Sequence, residues 1–263
     1  MTEKSDKKEV EVSLPFEWAI KETLGPTLDV IGVDLANLYE KSKVGVTRIA
    51  IAAKNKIAKS PKPIKDDAVL KANPRIARDV FWNGSFNEEM VSAEYFGGVL
   101  AQSRSENGKD DGAIFYLDII KSLSSTQLLM HYLVYSAINN LAVTAPTPAS
   151  VNPADNSDIN NWRVYINTNE LTHFGINLEQ DIQALFQKGL ISNFKYGPEL
   201  LASETSLHVT SMTPTTLGIQ LYAVASNELR GWKEFGNRFF DNFEMKESLK
   251  SSSFLLDDVS LKF

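Results

Sequence analysis

The stretch TQLLMHYLVYSAINNL, residues 126–141, is apolar on nearly every side of the helix that it predicts. A helix at the surface of a protein has a single apolar stripe, so a helix that is hydrophobic all round belongs at the centre of an assembly. Earlier segments have the stripe of surface helices. After the Gly25–Pro26 break, leucine and isoleucine recur at steps of three and four residues, at Leu28, Ile31, Leu35 and Leu38. The sequence therefore predicts a mainly α fold with a small α+β part, in which residues 14–141 form an N-terminal helical bundle.

Two glycines, Gly97 and Gly98, interrupt the helical segment SFNEEMVSAEYFGGVLAQS, residues 85–103. Glycine costs helix propensity, and its simplest use inside a helix is to allow another helix to approach closely. The acidic pair Glu88–Glu89 at the start of this segment suits the positive end of the helix dipole. We interpret the pair as helix-start electrostatics rather than as catalytic carboxylates.

The chain changes character after the helical region. Residues 142–160, AVTAPTPASVNPADNSDIN, contain three prolines among small and polar residues and predict a linker. Residues 161–263 then read as helix, strand, turn, strand and helix, the outline of a winged-helix-like α+β domain. Residues 1–13 read as a solvated, disordered tail. The acidic character of the C-terminal domain favours contact with a partner protein over contact with nucleic acid.

Composition excludes several classes of protein. The 263 residues include no cysteine, which removes disulfides, zinc ribbons and thiol nucleophiles together. No apolar run approaches the roughly 18 to 20 residues of a membrane-spanning helix. The charged N-terminus lacks the apolar core of a secretory signal. These features predict a cytoplasmic protein, one that can also associate peripherally with a membrane.

The segment KSKVGVTRIAIAAKNKIAKSPKPIK, residues 41–65, has one sign of charge in a chain whose formal net charge is -6. It holds none of the 33 carboxylates. Such asymmetry makes a polyanionic partner a candidate. The candidate docking residues are all of its cations: Lys41, Lys43, Arg48, Lys54, Lys56, Lys59, Lys62 and Lys65.

On a helical wheel the segment has one apolar arc of about 100 degrees, formed by Val46, Ile49, Ala50, Ala53 and Ile57. Two interpretations stay open: a core-facing helix with a solvated basic back, or a docking surface for a polyanion. An anionic membrane is favoured over nucleic acid for three reasons. The cations are mostly lysine, which serves bidentate recognition poorly, and no aromatic residue that could stack on bases occurs between residues 40 and 80. Basic amphipathic helices also bind anionic lipid.

No catalytic constellation is readable. The three histidines, His131, His173 and His208, lie far apart, and no metal-ligand spacing, nucleophile turn or phosphate-binding loop is present. We expect His131, in the most apolar helix, to be a packed neutral residue. The sequence predicts a protein that is not an enzyme and needs no cofactor or metal, with an enzyme site not readable from sequence as a minor alternative.

Three ordered stretches between about residues 20 and 225 resemble the bacterial Abi-alpha (abortive infection alpha) family. They are LGPTLDVIGVDLANLYE, then NPRIARDVFWNGSFNEEMVSAEYFGGVLAQS with YLDIIKSLSSTQLLMHYL, then DIQALFQKGLI with LHVTSMTPTTLGIQLY. Tyr95 and the Gly97–Gly98 pair depart from the residues usual in that family. The resemblance implies a role in defence against phage, as a sensor or adaptor, and supplies no reaction. A protein partner at the C-terminal domain and a homo-oligomer are further expectations.

Overall fold

The fold is that of a computed structural model. It describes residues 28–60, 70–145, 149–152, 154, 158–200, 206–240, 243–249 and 254–256, and for residues 28–41, 199–200, 206–207 and 254–256 it describes the backbone alone. The predicted tail, residues 1–13, lies outside the described residues.

Eight α-helices are described. They are α1 (Leu28–Ala58), α2 (Pro74–Gly84), α3 (Met90–Gln102), α4 (Ile114–Lys121), α5 (Ser125–Thr144), α6 (Thr168–His173), α7 (Gln183–Gln187) and α8 (Thr216–Ala225). Side-chain caps fix several starts: Asn73 caps α2, Ser124 forms a capping box with Gln127 at α5, and Thr215 caps α8. Two 3₁₀ helices, Ile159–Asn161 and Leu229–Gly236, and a π-helical turn, Leu178–Ile182, complete the helical part.

Four strands form one small antiparallel sheet: β1 (Val164–Asn167), β2 (Ile191–Leu200), β3 (Ser206–Pro214) and β4 (Phe254–Leu256). Their order across the sheet is β2-β3-β1-β4. Strand β1 pairs with β3, with Val164 opposite Met212, and β4 pairs with the other side of β1. A mainly helical fold with a small sheet, as the sequence predicts, is thereby confirmed.

Residues on both sides of the predicted linker contribute to one hydrophobic core. From α5, the Tyr135 hydroxyl donates to the Leu190 carbonyl, and the Asn139 amide donates to the Phe235 carbonyl at 2.6 Å. Within the predicted linker, Ala149, Val151 and Ile159 are buried. In the described part of the chain, the boundary at 142–160 therefore does not separate two cores.

The Gly97–Gly98 pair of α3 lies between two helices. A Cβ atom on Gly97 would lie 2.7 Å from the Ala52 Cβ of α1, and one on Gly98 would lie 2.3 Å from the Ala225 carbonyl oxygen of α8. Both distances are too short for any side chain. The close approach of helices predicted for the pair is confirmed, on two sides.

His131 of α5 is fully buried at the centre of the molecule. Its Nε2 lies 3.2 Å from the Gly218 carbonyl oxygen, which can only accept, so Nε2 carries the proton and Nδ1 accepts from the Tyr95 hydroxyl. Burial lowers the pKa of His131 to about 3. The packed neutral histidine that the sequence predicts is confirmed.

This histidine should make the protein sensitive to mild acid. Because its pKa falls from 6.5 unfolded to about 3 folded, the unfolded chain binds an extra proton below pH 6.5. We expect the free energy of unfolding, measured in urea, to fall by about 2 kcal/mol between pH 7 and pH 5. The His131→Gln variant should be less stable than wild type at pH 7, and its free energy of unfolding should hardly change between pH 7 and pH 5. The matched variant of an exposed histidine, His173→Gln, should keep the wild-type slope, and a flat wild-type profile would contradict the assignment.

Candidate functional site

As far as Ala58, the basic segment forms the second part of α1. The backbone leaves helical geometry at Ser42 (φ -145, ψ 41), so the residues from Lys43 to Ala58 form a helix with a direction of its own. The apolar arc predicted for this helix faces the core: Val46, Ile49, Ala50 and Ala53 are fully buried, and Ile57 is partly buried. The arc packs the helix against α3, so the opposite side of the helix faces outward.

The cations of the segment have different surroundings. Lys43 and Lys59 are exposed, and Arg48 and Lys54 are half-buried. Of Lys41 only the backbone is described, and Lys62 and Lys65 lie outside the described residues. At about 100° per residue, Lys43 and Lys54 lie along one edge of the outer side of the helix and Arg48 and Lys59 along the other, with Val44 and Ile51 between them.

Lys56 does not belong to this face, and its placement there is wrong. Its side chain is 0% exposed and forms an ion pair with Glu94 of α3. The reason is helical geometry: position 56 follows Ile49 by seven residues, which is almost two full turns, so both side chains point into the core.

The buried pair has further partners on both of its side chains. The Lys56 Nζ lies 4.2 Å above the centre of the Phe243 ring, and the second Glu94 oxygen accepts from the Glu244 backbone N–H at 3.4 Å. Burial lowers the pKa of Lys56, and the attraction of Glu94 opposes that shift. The pair joins α1, α3 and the C-terminal segment 243–249. It is a structural feature rather than part of a docking surface.

Large apolar side chains are exposed among the cations. On the outer face of α1, Val44 is 46% and Ile51 is 40% exposed. The turn between α2 and α3, together with the helix ends on either side of it, adds three more: Trp82 at 59%, Phe86 at 60% and Met90 at 45%. Sequence reasoning missed these residues because it searched only the basic segment for aromatic side chains.

The turn and the basic helix are neighbours in space. A Cβ atom on Gly45 would lie 1.9 Å from the Ser85 carbonyl oxygen, so the two backbones touch at this point. Val44 precedes Gly45, and Phe86 follows Ser85. Val44 and Phe86, both exposed, are therefore each next in sequence to a residue of this contact. The apolar turn thus lies beside the basic helix.

Charges of both signs surround the apolar turn. On α2, Arg75 and Arg78 precede Trp82 by seven and four residues, which places all three on the outer side of that helix, and both arginines are exposed. Arg78 also binds its neighbour Asp79 at 3.0 Å. Glu88 and Glu89, both exposed, lie between Phe86 and Met90. The turn is thus cationic on its α2 side and acidic where α3 begins.

Metal and membrane-spanning alternatives find no support in the described ranges. There, no group of three or more histidine, aspartate or glutamate side chains is arranged to hold a metal ion. His131 is in the core, whereas His173 and His208 are exposed on α6 and β3. Among the helices that can be described, none combines the length and the apolar character needed to cross a bilayer.

No family model, no curated protein and no solved structure matches the chain.

Proposed function

We propose that the protein is a non-enzymatic, peripheral membrane-docking protein that binds the surface of an anionic bilayer through the outer face of α1. One observation carries the proposal: this face combines Lys43, Arg48, Lys54 and Lys59 with the exposed aliphatic side chains of Val44 and Ile51. Residues 41–65 contain no carboxylate that would repel the lipid headgroups.

Lipid suits this face better than nucleic acid does. Binding of nucleic acid needs only cations that neutralise its phosphates. It would not explain why Ile51, an apolar residue on the same face, is 40% exposed. A bilayer surface uses both kinds of side chain, because headgroups attract the lysines and the acyl boundary accepts the aliphatic groups. The alternative is a defence or regulatory protein that binds nucleic acid through the same face. Vesicle binding and nucleic-acid binding distinguish the two.

Wild-type protein should co-sediment with vesicles of phosphatidylcholine and phosphatidylserine and should not co-sediment with phosphatidylcholine alone. Each lysine or arginine near an anionic surface contributes about 1 kcal/mol. Binding should weaken steeply between low salt and about 0.1 M salt, where the Debye length falls to about 10 Å. Wild-type protein that ignores anionic vesicles at low salt contradicts the proposal. If that protein instead shifts duplex DNA or RNA in a gel, the nucleic-acid alternative replaces it.

The role in phage defence is also a proposal, and the resemblance of three ordered stretches to the Abi-alpha family is its support. In that setting the protein would act as a sensor or adaptor at a membrane. Exposed Phe186 of α7 and Tyr196 of β2, 43% and 51% exposed, support the proposal that the C-terminal part contacts a partner protein.

The winged-helix-like interpretation of the C-terminal part remains a proposal as well. Its support is the order of elements: a helix, α5, then β1, two short helices and the β2–β3 hairpin, with β1 paired to β3. This order gives α5 the role of the module's first helix. The module would then begin near Ser125 rather than at residue 161.

A further inference from the structure

The turn between α2 and α3 exposes more apolar surface than its role in the fold explains. Trp82 and Phe86 are 59% and 60% exposed, and Met90 is 45% exposed, although their neighbours Phe81 and Val91 are buried. Each exposed side chain leaves apolar area in water at a cost of about 25 cal/mol per Å². Large apolar side chains gathered in this way mark an interaction surface.

The charges around the turn indicate which partner it fits. The adjoining edge of α1 presents Arg48, and the outer side of α2 presents Arg75 and Arg78. A protruding tryptophan flanked by cations is the arrangement found where proteins meet a bilayer, because the ring lies at the headgroup level and the cations bind lipid phosphates. The contact of Gly45 with Ser85 places this turn beside the docking face rather than elsewhere on the molecule.

We propose that Trp82, Phe86 and Met90 form a membrane anchor that inserts into the interfacial layer of an anionic bilayer when the outer face of α1 binds the headgroups. The inference rests on the proposed function and adds to it the side chains that enter the lipid. Binding is then two-part: the cations bring the protein to the surface, and the turn provides apolar contact that salt does not screen.

Glu88 and Glu89 oppose this insertion. Both are exposed at the start of α3, between two anchor residues, so insertion brings their charges close to anionic headgroups. They limit the depth that the turn reaches. Replacing both glutamates with neutral residues should therefore strengthen binding to anionic vesicles.

Quenching by bromine-labelled phosphatidylcholine, mixed with phosphatidylserine, tests the anchor directly. With wild-type protein we expect the tryptophan emission to shift to shorter wavelength and to be quenched, and with Trp82→Phe we expect most of the quenching to be lost. Trp82→Ser with Phe86→Ser should reduce partitioning at moderate salt by about tenfold or more. The matched pair Phe115→Ser with Phe239→Ser, two aromatic residues exposed elsewhere, should bind as wild type does.

Two outcomes separate this inference from the proposed function. Wild-type protein that does not bind anionic vesicles at all overturns both. Wild-type protein that binds them while its emission is neither shifted nor quenched overturns the anchor alone and leaves a purely electrostatic attachment. Unchanged binding of the Trp82→Ser, Phe86→Ser variant also overturns the anchor. Tighter binding of the Glu88→Gln, Glu89→Gln variant supports it.

Discussion

Replacing Lys56 with methionine should destabilise the protein by about 3–5 kcal/mol, the cost of leaving one member of a buried ion pair without its partner. Lys56 and Glu94 are 0% and 2% exposed, so water cannot reach the carboxylate that the substitution leaves unpaired. The measurement is urea unfolding followed by far-ultraviolet circular dichroism. Lys54→Met, two residues away on the half-buried side of the same helix, is the matched control and should change the free energy of unfolding by about 0.5 kcal/mol or less.

The double variant Lys56→Met, Glu94→Met separates two explanations. Either the ion pair itself stabilises the fold, or the loss of stability in Lys56→Met comes only from leaving Glu94 without its partner. Replacing both charges with apolar groups of similar volume should recover most of the lost stability. A double variant no more stable than Lys56→Met would show that the Glu94 hydrogen bond to the Glu244 backbone is the important interaction instead. A Lys56→Met variant as stable as wild type would contradict the buried pair itself.

Glu94→Gln should show the same coupling through pH. Glu94 raises the pKa of Lys56 against the effect of burial, so its removal lowers that pKa further below 10.5. Below pH 10.5 the unfolded chain then binds a proton that the folded chain does not. The unfolding free energy of this variant should accordingly rise as the pH is raised from 7 towards 10.5, and more steeply than that of wild type.

Lys56 shows what helical periodicity alone predicts and what it misses. The burial of the arc from Val46 to Ala53 could be predicted from the sequence, because apolar side chains at three- and four-residue steps share one face of a helix and that face packs against the core. The same periodicity places Lys56 beside Ile49, but a charged residue is assigned to the surface unless its partner is known. That partner, Glu94, lies 38 positions away and on another helix.

Other features depend on contacts between distant segments in the same way. The need for close packing at Gly97 and Gly98 was predictable from glycine inside a helix, whereas the identity of α1 and α8 as the neighbours was not. The exposed turn at Trp82 and Phe86 was missed because aromatic side chains were considered only between residues 40 and 80. Its place beside the basic helix follows only from the contact of Gly45 with Ser85.

The burial found within the predicted linker could not be predicted, for a related reason. Proline, serine and asparagine in residues 142–160 are typical of exposed connections, and local composition carries no information about Ala149, Val151 and Ile159 being covered by other elements. The order β2-β3-β1 also depends on pairing between strands separated by α6 and α7. Such pairings are set by the whole fold rather than by the strands themselves.

Reversing the four cations on the outer face of α1 should abolish binding to anionic vesicles. The variant is Lys43→Glu, Arg48→Glu, Lys54→Glu and Lys59→Glu, and it leaves Lys56 unchanged because that residue is buried. At about 1 kcal/mol for each cation, loss of the four attractions alone weakens binding by about a thousandfold, and the four new carboxylates add repulsion. The stability should change little, since the exposed Lys59–Glu244 pair at 3.6 Å contributes at most about 1 kcal/mol.

A matched variant separates the position of the charges from their number. Lys109, Lys188, Lys195 and Lys233 are exposed and lie outside α1, so their replacement by glutamate changes the net charge by the same amount. This control should keep most of the wild-type binding in the co-sedimentation experiment, because exposed charges more than about 10 Å from the lipid are screened at 0.1 M salt. Equal loss in the two variants would mean that net charge rather than the face of α1 controls binding. Retained binding by the α1 variant would exclude that face as the docking surface.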